Sequence, residues 1–338
     1  MEGRAHMVTR REVAEAAGVS VRTVSNVVNG FVHVAEPTRR RVLEAVERLG
    51  YRPSEMARSL KVGRTGLIGL MLPDLETPYF AELTRDFVEE GAARGFTVVI
   101  DQTDGDLERE TSLLARAARG GLFDALVLSP IALRAHDVTA RLPDSPLVFL
   151  GETDVPGFDH VAIDNREAAR VAVRHLVERG HRRIAAIGWR DDGNGTVELR
   201  TAGYLAALEE AGLAVPSGGM PLTGGFGRRF GAETLRTLVD GGDPPDAVFC
   251  FSDSLALGAL RAAHDAGLRV PDDLAVVGFD DAEDGRYSVP SLTSVSPDKR
   301  WIAHTAFTRI ARRLAGEDMP AETLVAPFRL VVRESSGG

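Results

Sequence analysis

The chain of 338 residues holds one cysteine, Cys250, so it can form no internal disulfide and has no cysteine cluster for zinc. Cys250 sits inside the apolar run Ala247-Val248-Phe249-Cys250-Phe251 and reads as an inert core thiol. No run approaches the roughly eighteen apolar residues that span a bilayer, and no charged-then-apolar leader opens the chain. Together these absences place the protein in the cytoplasm, away from any membrane. No Gly-x-Ser-x-Gly, phosphate-binding Gly-rich Lys loop or His-Glu-x-x-His occurs, and the eight histidines are scattered. The pair His175 and His181 needs no more than helix-end capping. The reading is therefore of a non-enzyme with no cofactor and no metal. What is present is ordinary for a globular chain of more than one domain: 44% apolar and 26% charged residues.

The net charge of −9 is unevenly divided. Residues 7–64 carry eleven Lys and Arg against six Asp and Glu, whereas residues 65–338 carry 28 against 42. A basic head on an acidic body predicts that only the head meets a polyanion.

Thr9-Arg10-Arg11-Glu12 has the pattern of a capping box and predicts a helix through about Ala16. Gly18 suits the turn that follows, and Ser20 caps a second helix, Val21 to Val28, ending at Asn29-Gly30. Two short helices about one Gly-containing turn make a helix-turn-helix. Ala14 permits close approach and Val24 fills the angle between them. A third helix starts near Pro37, presents Val42, Leu43, Val46 and Leu49 on one face, and stops at Gly50. With Val24, Val27 and Val28 inward, Val21, Arg22, Ser25 and Asn26 are expected outward, where a recognition helix meets base edges. Arg22 suits a bidentate pair to guanine, and Asn26 suits adenine or a phosphate. A solvated helix face accounts for any one of these residues but not for the three-helix pattern. After Tyr51-Arg52-Pro53, residues 54–60 form a short capped segment, marginal as an isolated helix. There Arg58 and Lys61 suit phosphates and Leu60 suits a minor-groove wedge, with a plain linker as the alternative.

These residues carry a specific resemblance. Val13-Ala14-Glu15-Ala16-Ala17-Gly18-Val19-Ser20, Thr23-Val24-Ser25, Val28-Asn29-Gly30, Gly50-Tyr51-Arg52-Pro53 and Ala57-Arg58-Ser59-Leu60 are similar to the headpiece and hinge of the lactose-repressor (LacI/GalR) family of bacterial transcriptional regulators. The similarity covers the chain after residue 6. It implies a DNA-facing set of Thr9, Ser20, Val21, Arg22, Thr23, Ser25, Asn26, Asn29, Tyr51, Ala57, Arg58 and Leu60. Asn26 stands where relatives often carry Arg, so the operator sequence does not transfer. The implied organisation is a DNA-binding domain at 7–53, a hinge helix and linker at 54–64, and an effector-binding and dimerisation core at 65–334.

In the core, apolar runs at 66–72, 96–101, 124–129, 146–150, 184–188, 246–251 and 274–279 alternate with helical stretches near 79–94, 107–120, 165–179, 197–212, 227–240 and 253–266. That rhythm predicts an α/β core of two parallel-sheet subdomains. The resemblance makes it periplasmic-binding-protein-like. Ligands of open α/β sheets bind beyond the carboxyl ends of strands. The residues there are Pro78-Tyr79-Phe80, Ser129, Trp189, Arg200 at the start of a helix, Ser252-Asp253 and Asp280-Asp281. Aromatic faces with Asp, Arg and Asn suit a polyol. The resemblance assigns Tyr79, Phe80, Arg200, Phe226, Asp253 and Asp280 to an effector pocket; Ser129 and Trp189 complete the expected set. Helix capping stays open for Asp253 and Asp281, and core packing for Phe226. Gly151 stands where some sugar-responsive relatives carry Asp. The expected function is a repressor that binds a pseudo-palindromic double-stranded operator as a homodimer, under control of a small-molecule effector, a carbohydrate. The absence of further Leu heptads near the end speaks for a dimer. The alternative is a non-regulatory sugar-binding protein of the same core fold.

Overall fold

The computed structural model describes residues 8–28, 31, 33–51, 64–120, 122–134, 137–138, 146–151, 155–191 and 193–337. The chain divides into two compact units, Met1–Thr65 and Gly66–Gly338.

The first unit contains α1 (Arg10–Ala17), α2 (Val21–Val28) and α3 (Glu36–Leu49). Thr9 and Glu12 form the reciprocal capping box, with the Thr9 N–H donating to Glu12 Oε2 at 2.6 Å. Gly18 closes α1 at φ 63, a left-handed conformation that side chains with a Cβ resist. The Ser20 hydroxyl accepts the Thr23 N–H at 3.1 Å and starts α2. Val13, Ala14, Val24, Val27, Val42, Ala45 and Tyr51 form the core.

Two sequence expectations are corrected here. Leu43 is 50% exposed, and Ala45 takes its place in the core. The i, i+3, i+4, i+7 stripe runs through Val42, Ala45, Val46 and Leu49, and Leu43 lies about 100° round the helix from Val42. Ser25 is not outward but buried, at 8%. Helix α2 touches both α1 and α3, so its buried arc is wider than one valine stripe.

The second unit is built on two sheets. In the first, the order β2-β1-β3-β4-β5-β10 is wholly parallel: β1 (Leu67–Leu72), β2 (Thr97–Gln102), β3 (Ala125–Leu128), β4 (Leu147–Leu150), β5 (Asp159–Ile163) and β10 (Thr323–Ala326). In the second the order is β6-β7-β8-β9-β11: β6 (Ile184–Ile187), β7 (Ala247–Cys250), β8 (Ala275–Phe279) and β9 (Thr293–Pro297) are parallel, and β11 (Phe328–Val331) runs antiparallel to β9. The crossover helices are α4 (Pro78–Ala93), α5 (Leu107–Gly120), α6 (Asn165–Glu178), α7 (Gly195–Glu210), α8 (Arg228–Asp240) and α9 (Asp253–Asp265). A short α10 (Glu283–Arg286) follows β8, and α11 (Lys299–Leu314) follows β9. The chain crosses between sheets three times, after β5, β9 and β10, so each sheet is completed by one strand from near the end of the sequence. Among the described residues no helix is long and apolar enough to cross a membrane.

Helices α8 and α9 approach through reciprocal glycines. A Cβ on Gly258 would fall on the Arg228 carbonyl oxygen, and one on Gly231 would fall on that of Leu255. Neither obstacle is a flexible side chain, so the helices must part to admit it. Gly258→Ala is expected to cost about 1–3 kcal/mol, read as a lower urea midpoint at unchanged slope. An unshifted midpoint would mean that this helix pair is not close-packed in solution.

Candidate functional site

The carboxyl ends of both sheets face a cavity of about 200 Å³, the position expected for a ligand of open α/β sheets. One water needs only about 10–15 Å³ of such space, so the cavity admits a small organic molecule. The first subdomain contributes Asp74 and Thr77 after β1, Tyr79 and Phe80 from the start of α4, Ser129 after β3, and Gly151 after β4. The second contributes Asn194 and Thr196 at the start of α7, Arg200 one turn further on, Phe226, Ser252 and Asp280. Tyr79 and Phe80 meet edge to face at 5.1 Å between centroids, which sets two rings as a wall.

Arg200 is buried at 6%. Its Nε donates to Asn165 Oδ1 at 2.7 Å, its Nη1 donates to the Phe251 carbonyl, and its guanidinium lies 3.4 Å from the centre of the Phe279 ring. It lies inside α7, which begins at Gly195 under an Asn194 cap; it does not start the helix as expected. Asp280 is 6% exposed at the end of β8. Burial pushes its carboxyl up to about 6, against the opposing pull of Arg200, Lys299 and the Asp253 backbone N–H. Asp280 and Asp281 adopt φ 115 and φ 48, consecutive left-handed residues costing of order 1–3 kcal/mol each. Such a turn persists only where its surroundings over-determine it. Here the Asp280 N–H donates to the Val295 carbonyl at 2.8 Å, the Asp281 N–H to Ser294 Oγ at 3.0 Å, and Arg333 Nη2 to Asp281 Oδ1 at 2.5 Å.

The structure brings six of the eight expected effector residues to one cavity: Tyr79, Phe80, Ser129, Arg200, Phe226 and Asp280. Trp189 and Asp253 are not among its lining. Trp189 packs against the core. Asp253 is 1% exposed and lies behind the turn, accepting the Ala282 N–H at 2.7 Å and the Ser294 hydroxyl at 2.6 Å. Burial and the neighbouring Asp280 raise its carboxyl well above the usual range. The cap of α9 is Ser252, not Asp253.

Sequence reasoning passed over several residues. Asp74 accepts the Thr77 hydroxyl at 2.5 Å and the Glu76 N–H at 2.8 Å, which shapes the loop before Pro78. Asn194 accepts the N–H groups of Thr196 and Val197; its Gly-Asn-Gly-Thr setting is a legible cap signal. Glu110 of α5 is fully buried and accepts backbone N–H groups of Ile131, Ala132 and Leu133 at 2.8, 3.2 and 2.8 Å. It thereby fixes the rim after Ser129. Arg134 extends that rim across the cleft, donating to the Gly193 carbonyl at 3.1 Å. No histidine, lysine or cysteine lines the cavity among the described residues.

In the first unit, Val21 and Arg22 are exposed on the first turn of α2, with Thr23 and Asn26 half-buried. Thr9 and Ser20 spend their side chains on caps. Tyr51 is 7% exposed, and its hydroxyl accepts from Arg10 Nε at 3.0 Å. Asn29, Ala57, Arg58 and Leu60 lie outside the described residues.

Comparison with known proteins gives the same two parts. Residues 9–54 match the family described as bacterial regulatory proteins, lacI family, and residues 173–336 match the periplasmic binding protein-like domain. Over 334 residues the chain is 36% identical to the HTH-type transcriptional repressor PurR of Erwinia tasmaniensis, covering 97% of each protein. Among solved structures, the lac repressor dimer bound to operator and the anti-inducer ONPF aligns with a TM-score of 0.85 at 28% identity, covering 97% of this chain and 99% of that one. The transcriptional regulator CelR in complex with cellobiose aligns at 0.72 with 32% identity and the same coverage.

Proposed function

The chain belongs to the lacI family of bacterial regulatory proteins and is a DNA-binding transcriptional repressor rather than an enzyme; from that premise we propose that it acts as a homodimer on a pseudo-palindromic operator and is controlled by a sugar. The observation that carries the effector reading is the meeting of Asp280 and Arg200 with the Tyr79–Phe80 wall in one small cavity. A buried carboxylate accepts from vicinal hydroxyls, and aromatic faces cover the C–H surface of a pyranose or furanose ring. The CelR–cellobiose relative lends weight to the same class. Gly151, where the cavity wall carries no side chain, leaves space for the ring.

Several exposed apolar residues support the dimer. Val99 and Ile100 are 39% and 38% exposed on the edge strand β2, and Tyr287 and Val289 are 79% and 95% exposed after α10. A second copy covering these surfaces removes apolar area from water. Two-fold symmetry of a helix-turn-helix dimer then requires two half-sites, and a protein working on operator DNA works in the cytoplasm. Of the DNA-facing set, Arg22 is the base reader, with Val21 and Asn26 beside it. The hinge residues Ala57, Arg58 and Leu60 bind the minor groove and backbone.

Selection from a random duplex pool tests the DNA half. The wild type is expected to return an inverted repeat. Arg22→Ala is expected to lose preference at one base pair per half-site, at about 1–3 kcal/mol. The same motif at undiminished affinity would overturn the recognition-helix assignment. Thermal shift against a panel of sugars, nucleobases and nucleosides tests the effector half. Stabilisation by a nucleobase and by no sugar would replace the carbohydrate reading.

A further inference from the structure

The left-handed turn that presents Asp280 is tied to the opposite subdomain through one amine. The chain has only two lysines among its 40 basic residues, Lys61 and Lys299. Lys299, the first residue of α11, has a side chain only 10% exposed. Its Nζ donates to the Asp280 carbonyl at 2.6 Å, to the Asp281 carbonyl at 3.4 Å and to Glu82 Oε2 at 2.8 Å, and it lies 5.9 Å from the centre of the Tyr79 ring. An ammonium has three donors radiating from one point, and here three acceptors converge on it. Two belong to the turn after β8; the third belongs to α4, on the first sheet. Glu82 completes the tie from its other oxygen, accepting the Glu283 N–H at 2.8 Å.

We propose that Lys299 is a positioning residue that holds the Asp280–Asp281 turn in its left-handed form and, through Glu82, couples that turn to α4 and its Tyr79–Phe80 wall. The proposal rests on the reading of Asp280 as an effector group but concerns how the two walls of the site move together. Either partner changed alone must loosen both walls: without Lys299 both carbonyls and the Glu82 carboxylate lose their shared cation, and without the Glu82 charge the ammonium and the Glu283 N–H lose their anchor on α4. Arg200 cannot substitute: its donors are directed to Asn165 and Phe251. Arg286 and Arg333 meet the turn at the Asp281 carboxylate, Arg333 donating also to the Leu292 carbonyl, and Arg300 pairs with Asp86. These charges surround the tie without bridging it.

Amide hydrogen exchange on the full-length protein, followed by mass spectrometry, tests the coupling without any ligand. Lys299→Met is expected to speed exchange about tenfold in peptides covering both 280–286 and 78–86, the factor of one lost charge-assisted hydrogen bond. Glu82→Gln, at a half-exposed position, is expected to speed exchange in 280–286 on the other subdomain. In the double variant the effects are expected to fall short of additivity, since one link is being cut twice. If Glu82→Gln leaves 280–286 unchanged, or the two substitutions add in full, the linkage is wrong. These outcomes are separable from the effector reading. A coupled turn whose Asp280 variant still binds the sugar would retain the linkage and discard the pocket.

Discussion

Asp280→Asn is expected to weaken binding of the sugar picked out by thermal shift about a hundredfold, and to flatten the dependence of that binding on pH. Removing a buried charge from a hydrogen-bonded contact costs about 2–5 kcal/mol. The ionised carboxylate accepts two hydroxyl protons, whereas the neutral side chain offers one carbonyl and donates with its other end. Because burial raises the carboxyl to about 6 in the ligand-free protein, wild-type affinity should fall as pH drops through 6, and the Asn variant should show no such inflection. Stability moves the other way. A carboxyl raised in the folded state contributes stability that is present below its ordinary value of 3.8 and is lost as pH rises through about 6. Ligand-free Asp280→Asn should therefore be more stable than wild type at pH 8, and the gain should vanish near pH 4. Operator binding without ligand should stay intact, because a ligand shifts DNA affinity only through differential binding to two core states. Titration calorimetry between pH 5 and 8, with urea melts between pH 4 and 8, checks both arms. Unchanged affinity with an unchanged pH profile would remove Asp280 from the effector site.

The largest loss of stability is expected from Asp159→Ala. This side chain is fully buried on β5 and accepts Arg309 Nε and Nη2 at 2.9 and 2.6 Å, Arg313 Nε at 2.5 Å and the Glu322 N–H at 3.2 Å. Arg309 is itself 5% exposed and also reaches the Pro320 carbonyl and Glu322 Oε2. The network fastens α11 and β10 to β5 where the chain returns to the first sheet. Truncating Asp159 takes from the buried Arg309 its buried carboxylate and leaves only the exposed Glu322 to balance the charge, at about 3–5 kcal/mol, or roughly 10 °C in Tm for a unit of this size. Asp159→Asn, which keeps the acceptor oxygen but not the charge, should lose less. Burial alone would raise the Asp159 carboxyl, but hydrogen bonds from Arg313 and Arg309 outweigh it and hold it below its ordinary value. Its contribution is therefore present above pH 4 and lost as pH falls toward the lowered value, opposite in sign to Asp280. Equal melting temperatures for wild type and Asp159→Ala would show that the clamp is idle.

Both sites expose where patterns in the sequence stop being readable. The runs that became β1, β3, β4 and β6 to β8 are short and apolar because their strands are buried on both faces, so they announce themselves; β2 is legible from its apolar Val98-Val99-Ile100 although it lies at an exposed edge. Strand β5 gives no such run because Asp159 and His160 interrupt its apolar pattern, and Asp159 makes sense only beside Arg309, 150 positions away. Strands β10 and β11 are edge strands with partly exposed residues, which removes the apolar signal. Ser25 and Leu43 were misplaced for a related reason. Periodicity tells which residues share a face, but not how many neighbours that face will have.

Local chemistry in the sequence was enough for whatever depends on neighbours three or four residues apart. Thr9 with Glu12, Gly18, and Ser20 with Thr23 define the helix-turn-helix because caps and left-handed turns are settled within one helical turn. The alternation of apolar runs with helices likewise determined the α/β core. Only the tertiary structure decided which polar side chains serve the cavity and which serve the frame. Asp253 and Asp280 both follow apolar strands and look alike in sequence, yet one is locked behind the turn by Ser294 and Ala282 while the other lines the cavity. Lys299 carried no local signal at all. Its importance arises because three chain crossings bring α11, the turn after β8 and α4 to a single point, and a buried charge takes its role from the partners that converge on it.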